Sequence, residues 1–300
     1  MRPRATWILY ASVLLLLALG AIELRYYATA RVFFHPPIKH VTEADRAKAR
    51  ELLPTLEEIS FRASDGPLLR GFYVPSQNGA AVVLVHGLTQ NRMDLVPTAA
   101  MLARHGYGAL VFDLRAHGES EGDTSTFGDR EQNDFEAAVD FVAARGDIRG
   151  GRIAALGFSI GATTVAVASS RDARVRAVIL DAVYTSFEDE WQEKMGIHGE
   201  LTMIPARLAA QRAGVDPSHL RPIDAVAQIA PRPVLFLAGT HDVDTPVAIV
   251  QKVYDAASEP KRLVVLDGVV HDSFPNASVD VYEREVIGFL EKSLLEAPVH

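Results

Sequence analysis

Eight short apolar segments, separated by stretches with helical periodicity, constrain the fold of this 300-residue chain more than any other feature. They predict strands over residues 56–63, 68–74, 81–85, 108–114, 152–157, 175–181, 234–238 and 262–266. The last six are rich in Val, Ile, Leu and Ala on both faces, which is typical of parallel strands covered by helices. The first two alternate more regularly, which favours an antiparallel edge. We therefore predict an α/β fold around a mostly parallel sheet of eight strands.

Helical periodicity fills the gaps between these strands. It predicts helices near residues 43–53, 92–105, 130–144, 160–170, 247–257 and 280–295. One segment, about residues 184–222, holds Trp191, Met195 and Met203 but no clear strand, so we predict a lid insertion there. The alternative is a surface helix pair that only packs against the domain.

Composition removes several classes of function. The chain is 48% apolar and 23% charged, a balance that permits a sizeable core. It contains no cysteine, which excludes disulfides, thiol nucleophiles and thiolate metal sites. A formal net charge of −8 argues against a nucleic-acid partner. Because metal-ligand and dinucleotide-binding spacings are also missing, we predict neither a metal nor another cofactor.

The N-terminus has the composition of a membrane segment. Residues 5–22 carry no charge and follow Arg2 and Arg4. We predict an anchor over residues 1–30, with a cytoplasmic N-terminus and a folded domain over residues 31–300 outside the cytoplasm. The alternative is a signal segment cleaved near the small residues Ala18 and Gly20, which would release a secreted protein.

A pentapeptide, Gly157-Phe158-Ser159-Ile160-Gly161, follows a predicted strand and leads into a predicted helix. A serine on so tight a turn presents its hydroxyl on a strained backbone, and the flanking glycines avoid steric clashes. The first amides of the following helix point to where an oxyanion would form. The pattern predicts that Ser159 is a nucleophile.

A serine nucleophile requires a base that a carboxylate orients, and both follow in the chain. Asp242 comes just after the predicted strand 234–238, and His271 follows the strand 262–266. Because the carboxyl ends of parallel strands meet at one edge of the sheet, these side chains can converge on Ser159. His241 is too close in sequence to Asp242 to bridge it to the serine, whereas Asp244 remains an alternative acid.

An oxyanion hole needs two backbone N–H groups. We assign one to Ile160, which follows the serine, and the other to Leu88, which follows the tight turn at Gly87. The adjacent His86 is interpreted as a hydrogen-bonded residue that holds this loop rather than as a catalytic base.

Together these motifs resemble the α/β-hydrolase superfamily over about residues 56–295. The matching motifs are His86-Gly87, the segment from Phe112 to Ser120, the pentapeptide around Ser159, Asp242 with Pro246, and His271. The resemblance implies an eight-stranded sheet flanked by helices, a lid insertion and a Ser-His-Asp hydrolase whose 113–120 loop shapes the site. It also favours Asp242 as the acid, four positions before the proline.

Two further features bear on the resemblance. The anchor followed by Phe33-Phe34-His35-Pro36 is similar to membrane-tethered serine hydrolases of the superfamily. Val270 precedes His271 where many members have glycine, which is a departure from the family's pattern.

The expected chemistry is hydrolysis of carboxylic esters through an acyl-enzyme, without a cofactor. The substrate is a small-molecule or lipid-like acyl ester, the latter indicated by the anchor and by the apolar lid residues Trp191, Met195, Met203 and Ile204. The same residues would serve a peptidase, amidase, thioesterase or acyltransferase, and a non-catalytic membrane-tethered binding module is the remaining alternative. The sequence leaves acyl chain length and oligomeric state open.

Overall fold

The computed structural model describes residues 3–195, 200–216, 220–271 and 279–296. Its strands are β1 Glu57–Arg62, β2 Leu68–Val74, β3 Ala81–Val85, β4 Gly108–Phe112, β5 Ile153–Phe158, β6 Val175–Asp181, β7 Val234–Gly239 and β8 Lys261–Leu266. These eight strands form one sheet in the order β1-β2-β4-β3-β5-β6-β7-β8. The first two pairings, β1 with β2 and β2 with β4, are antiparallel and the remaining pairings are parallel. This confirms the predicted fold class.

Helices cover both faces of the sheet because most of its strands are apolar on both sides. The helices are α1 Pro3–Phe34, α2 Glu43–Leu52, α3 Val96–Arg104, α4 Glu131–Ala143, α5 Ile160–Arg171, α6 Phe187–Met195, α7 Glu200–Arg212, α8 Pro222–Ala225, α9 Val247–Ala256 and α10 Val279–Leu290. Val83 and Val85 point into a core shared with α4, α5 and α9, whereas Val82 and Leu84 point into a second core with α2, α3 and α10.

Several predicted bounds differ from the structure for local reasons. The predicted helix 92–105 divides into a 3₁₀ turn, Arg92–Leu95, and α3, whose first turn contains Pro97 and so lacks one backbone donor. The predicted helix 280–295 ends as α10 at Leu290, and the last residues, Glu291–Leu295, form a π-helical turn. Strand β4 ends at Phe112, two residues earlier than predicted, although the amide of Asp113 still donates to the carbonyl of Arg70 in β2 at 2.9 Å.

The predicted lid region is helical in its described part and contains no strand there. Helices α6 and α7 bury Trp191 and Met203, while Ile204 lies at the surface. Residues 196–199 and 217–219 of the predicted insertion, and the side chain of Met195, lie outside the described part of the chain.

Helix α1 runs without interruption from the predicted membrane segment to the folded domain. Residues 7–34 form one helix long and apolar enough to cross a membrane, and its large apolar side chains up to Leu24 are exposed. The last turns, residues 24–34, which we call the foot of α1, pack against α7. Phe33 and Phe34 are buried there, and the carbonyl of Phe34 accepts a hydrogen bond from the amide of Ser125 at 2.9 Å.

Candidate active site

The turn between β5 and α5 holds Ser159 in a conformation that side chains rarely adopt. Its backbone has φ +55° and ψ −119°. A Cβ atom on Gly157 would lie 2.3 Å from the carbonyl oxygen of Gly161, and one on Gly161 would lie 2.2 Å from that of Val85. Both glycines are therefore required sterically, and the strand, turn and helix predicted from the pentapeptide are present.

The three predicted triad residues lie together at the carboxyl edge of the sheet. The Nε2 atom of His271 is 3.1 Å from the Oγ of Ser159, and its Nδ1 is 2.8 Å from the Oδ2 of Asp242. These distances fit the tautomer in which Nδ1–H donates to the carboxylate and Nε2 accepts from the serine hydroxyl. The imidazole also packs on the ring of Phe158, with centroids 4.9 Å apart.

The loop after β7 pairs Asp242, and not Asp244, with the histidine. The second carboxylate oxygen of Asp242, Oδ1, accepts the amide of Thr245 at 2.7 Å and that of Asp244 at 3.0 Å. The buried carboxylate is thereby held with Oδ2 towards His271. Asp244 lines the neighbouring pocket, and His241 is exposed.

Both residues predicted for the oxyanion hole adjoin Ser159. Ile160 is the first residue of α5, so its amide has no carbonyl one turn earlier in the helix to bond to. Leu88 lines the same pocket as Ser159 and His271. The turn before it is held by the amide of Gly87, which donates to Oε1 of Gln90 at 2.8 Å.

His86 connects two loops beneath the site. Its Nε2 accepts the amide of Leu114 at 3.1 Å, so Nδ1 carries the proton and donates to the carbonyl of Gly87 at 2.8 Å. Burial, with a smaller contribution from the nearby His117, lowers the pKa of His86 to about 3. The ring is therefore neutral at physiological pH. Its two hydrogen bonds hold the loop, as expected from the sequence.

The 113–120 loop lies next to the site and contributes no residue to the triad. The buried carboxylate of Asp113 accepts the amides of Arg92 at 2.8 Å and Glu119 at 2.9 Å. Gly118 has a φ of +53°, and a Cβ atom there would lie 2.1 Å from the Asp113 carboxylate. The hydrogen bond from the amide of Leu114 to Nε2 of His86 connects this loop to the turn that contains Gly87 and Leu88.

A pocket of about 300 Å³ opens at Ser159. Its walls combine apolar side chains with polar ones, and two of the polar side chains are carboxylates. They include Val32, Phe33, Leu88, Phe127, Tyr184, Glu190 and Asp244.

Tyr184 stands beside Ser159 and lines the same pocket. Its phenol lies close to the hydroxyl groups of Ser159 and Thr163. Burial, followed by the nearby Glu190, raises the pKa of Tyr184 well above its ordinary value. The phenol therefore keeps its proton and can act as a hydrogen-bond donor at the serine.

Sequence reasoning missed several pocket residues. Val32 and Phe33 belong to the foot of α1, which the prediction assigned to the anchor and the start of the folded domain. Phe127 has a φ of +58° and lies in a loop, where no helical or strand periodicity indicates that its side chain is buried. Tyr184 was identified only as the beginning of the lid, although its position just after β6, at the active edge of a parallel sheet, was an available clue.

The described part of the chain contains no group of three or more His, Asp or Glu side chains arranged to bind a metal. The arrangement around Ser159 contains a hydroxyl, an imidazole, a carboxylate and backbone N–H groups in the order that a serine hydrolase requires.

Comparison with known proteins identifies relatives of the chain. It is 30% identical to the uncharacterized protein YfhR of Salmonella typhi over 256 residues, covering 79% of this chain and 82% of that one. It is 31% identical over 191 residues to the thiohydrolase aneE of Aspergillus aculeatus, covering 61% and 59%.

Structural comparison finds the same fold in a solved enzyme. The Pyrococcus furiosus esterase Pf2001 superimposes with a TM-score of 0.70 at 21% identity, covering 86% of this chain and 99% of that one. The family model described as X-Pro dipeptidyl-peptidase (S15 family) matches residues 39–230. The chain therefore belongs to the S15 peptidase family of α/β hydrolases.

Proposed function

We propose that this chain is a membrane-anchored serine hydrolase that cleaves carboxylic esters through an acyl-enzyme. The observation that carries the proposal is the continuous hydrogen-bonded series from Ser159 through His271 to Asp242, in a pocket with both apolar and polar walls. Protein groups in this order activate a hydroxyl that is otherwise a weak nucleophile.

The acylation step follows from the geometry. Ser159 Oγ attacks the ester carbonyl carbon as His271 Nε2 takes the hydroxyl proton, and Asp242 stabilises the imidazolium that forms. The amides of Leu88 and Ile160 donate to the developing oxyanion. The intermediate then collapses: the bond between the carbonyl carbon and the leaving oxygen breaks, and His271 gives its proton to the departing alcohol.

Deacylation repeats these roles with water as the nucleophile. His271 takes a proton from water, the resulting hydroxide attacks the acyl carbon, and the proton returns to Ser159 as the acid leaves. The neutral phenol of Tyr184, next to Ser159, supplies a further donor at the reacting oxygen.

The apolar part of the pocket wall can accommodate the hydrocarbon of an acyl group. Val32, Phe33, Leu88 and Phe127 present hydrocarbon surface to the space above the serine. Burying an acyl chain against such walls contributes roughly 0.8 kcal/mol for each methylene group. This supports an ester with an apolar acyl part as the substrate class.

A second candidate, cleavage of an X-Pro dipeptide from a peptide N-terminus, is favoured by one observation. The carboxylates of Glu190 and Asp244 both line the pocket. They offer negative charge to the ammonium group of a peptide N-terminus, and the family name describes such a peptidase. A thioester, the substrate class in the name of the thiohydrolase relative, would require no change of mechanism.

A substrate panel separates these candidates. Purified full-length protein would be assayed with p-nitrophenyl esters from acetate to decanoate, with a butyryl thioester and with Ala-Pro-p-nitroanilide. We expect the highest kcat/KM for an ester, with Ser159→Ala as the inactive control. A peptidase would instead favour the anilide and lose most of that activity in Glu190→Gln. Absence of turnover on every substrate by the folded protein would support a binding module.

The N-terminal segment is proposed to remain attached, with the hydrolase domain outside the cytoplasm. The basis is its length and composition, since α1 contains an apolar stretch sufficient for one crossing. Recovery of peptides from residues 1–23 in membrane-bound protein, together with protease accessibility of the domain from the outer side, would support this topology. A soluble product beginning near residue 21 would contradict it.

A further inference from the structure

The membrane helix and the candidate active site share a wall. Val32 and Phe33, on the last turn of α1, line the pocket that contains Ser159 and His271. The ring of Phe33 is fixed in place by Phe127, with centroids 5.4 Å apart. Since α1 is one uninterrupted helix, its exposed apolar half and the pocket wall form a single rigid element.

The length of α1 places this pocket close to the lipid headgroups. A hydrocarbon core about 30 Å thick is spanned by about 20 helical residues, which residues 5–24 supply. Phe33 is nine residues beyond Leu24. At 1.5 Å per residue that distance is about 14 Å, only roughly twice the depth of one headgroup layer. The pocket therefore lies within reach of a lipid tail that rises from the bilayer.

Exposed apolar side chains surround this region on independent elements. On α7, which packs along α1, Ile204 and Leu208 are one turn apart and 55% and 39% exposed. Next to the triad acid, Val243 is 83% exposed, and next to the base, Val270 is 45% exposed. Single exposed apolar residues are ordinary, but here they border the catalytic edge and the foot of the membrane helix.

The foot of α1 has the composition of a headgroup-level segment. Tyr26 and Tyr27 are partly buried against the lid helices, and Arg212 lies over the ring of Tyr27 at 5.1 Å. Arg25 and Arg31 are exposed on the same segment. Tyrosine and arginine at this level pair an apolar stem with a polar end, which suits the boundary between hydrocarbon and water.

We infer that the substrate is an ester lipid resident in the bilayer that holds α1, and that its acyl chain enters the pocket beside the foot of α1. This inference rests on the proposed ester hydrolase. Ile204 and Leu208 contact the lipid surface and keep the pocket mouth against it. In the reaction, water is consumed, the acyl carbon–oxygen bond breaks, and a fatty acid and an alcohol are released.

The test compares hydrolysis of an ester embedded in a bilayer with hydrolysis of an ester dissolved in water. Full-length protein in phosphatidylcholine vesicles would be assayed with 4-methylumbelliferyl palmitate embedded in the same vesicles and with water-soluble 4-methylumbelliferyl acetate. The variant Ile204→Ser/Leu208→Ser changes only exposed positions outside the pocket lining. Leu52→Ser, which also removes an exposed leucine but from α2, is the matched control.

We expect the double variant to lose at least fivefold in palmitate hydrolysis and to change less than twofold on acetate, while Leu52→Ser matches the wild type on both. Equal palmitate activity in all three proteins would overturn the inference and leave the proposed esterase intact. Failure of the wild type on both esters would contradict the proposed function and this inference with it.

A second variant increases the distance between the bilayer and the pocket and leaves the pocket lining unchanged. Seven polar helix-forming residues inserted between Leu24 and Arg25, just beyond the spanning residues, would add two turns, about 10 Å, at exposed positions. We expect palmitate hydrolysis to fall at least fivefold and acetate hydrolysis to persist. Unchanged palmitate activity in this variant would also overturn the inference.

Discussion

The ring of Phe33, at the end of the N-terminal helix, lies 5.7 Å from the ring of Trp191 in α6, edge to face. These residues are 158 positions apart in the chain, and their contact joins the foot of α1 to the lid. Both side chains are buried, and Phe33 faces the pocket. The contact therefore makes α1 a structural part of the pocket at Ser159.

Replacing Phe33 is expected to change the preference for acyl length. Phe33→Leu enlarges the pocket at one wall. The ratio of kcat/KM for long acyl esters to kcat/KM for short ones should therefore rise about tenfold. Phe34→Leu is the matched control because Phe34 is equally buried but packs against Phe187 and does not line the pocket. Rates on the p-nitrophenyl ester series would measure the effect. An identical shift in both variants would contradict the assignment of Phe33 to the pocket.

Asp242 and Asp244 should differ sharply in their effect on catalysis. Asp242→Asn removes the acceptor for Nδ1–H of His271, and we expect kcat to fall by about 10³ to 10⁴. Asp244→Asn keeps the backbone amide that donates to Asp242, so kcat should stay within about tenfold of the wild type. Steady-state kinetics on a short ester would decide, and the reverse order would identify Asp244 as the acid.

The nucleophile turn leaves no space for a side chain at Gly161. Gly161→Ala places a Cβ atom against the carbonyl of Val85, so we expect the free energy of unfolding to fall by about 2 kcal/mol or more. Gly288→Ala is the control because its Cβ would contact nothing within 4 Å in α10, and the change should stabilise the protein by about 0.5 to 1 kcal/mol. Thermal unfolding in detergent micelles would compare them. Equal melting temperatures would contradict the close contact at Gly161.

His86 should make stability depend on pH below neutrality. Its pKa is about 3 in the folded chain and 6.5 ordinarily, so on acidification the unfolded state binds a proton first. The free energy of unfolding is therefore unaffected by the protonation of His86 above about pH 6.5. Between pH 6.5 and pH 3 it falls with pH, by at most about 1.4 kcal/mol per pH unit. His86→Gln should therefore show a shallower decline between pH 6 and pH 4 in denaturant titrations. Parallel curves for both proteins would argue against a buried neutral His86.

The strands and the positions of the three residues proposed as a triad are predictable because each depends on local pattern. Strands such as β3 and β5 are apolar on both faces and are bounded by turns, and Ser159, Asp242 and His271 each follow a strand at the same edge. These relationships are present in short stretches of sequence, so they require no knowledge of tertiary contacts.

The pocket walls are not predictable in the same way. Phe33, Phe127 and Trp191 come from three distant segments, and only packing brings their rings together. The choice between Asp242 and Asp244 is also structural, since it depends on two loop amides that bind one carboxylate oxygen and leave the other for His271. Spacing alone does not specify that geometry.

The central claim, that Ser159 is an activated nucleophile, is tested most directly by reaction with a fluorophosphonate followed by intact-mass and peptide mapping. We expect one adduct on Ser159 in the wild type and none in Ser159→Ala or His271→Ala, because the histidine 3.1 Å from the hydroxyl is needed to activate it. Folded wild-type protein that takes up no label, or a label retained in the Ser159→Ala variant, would contradict the claim.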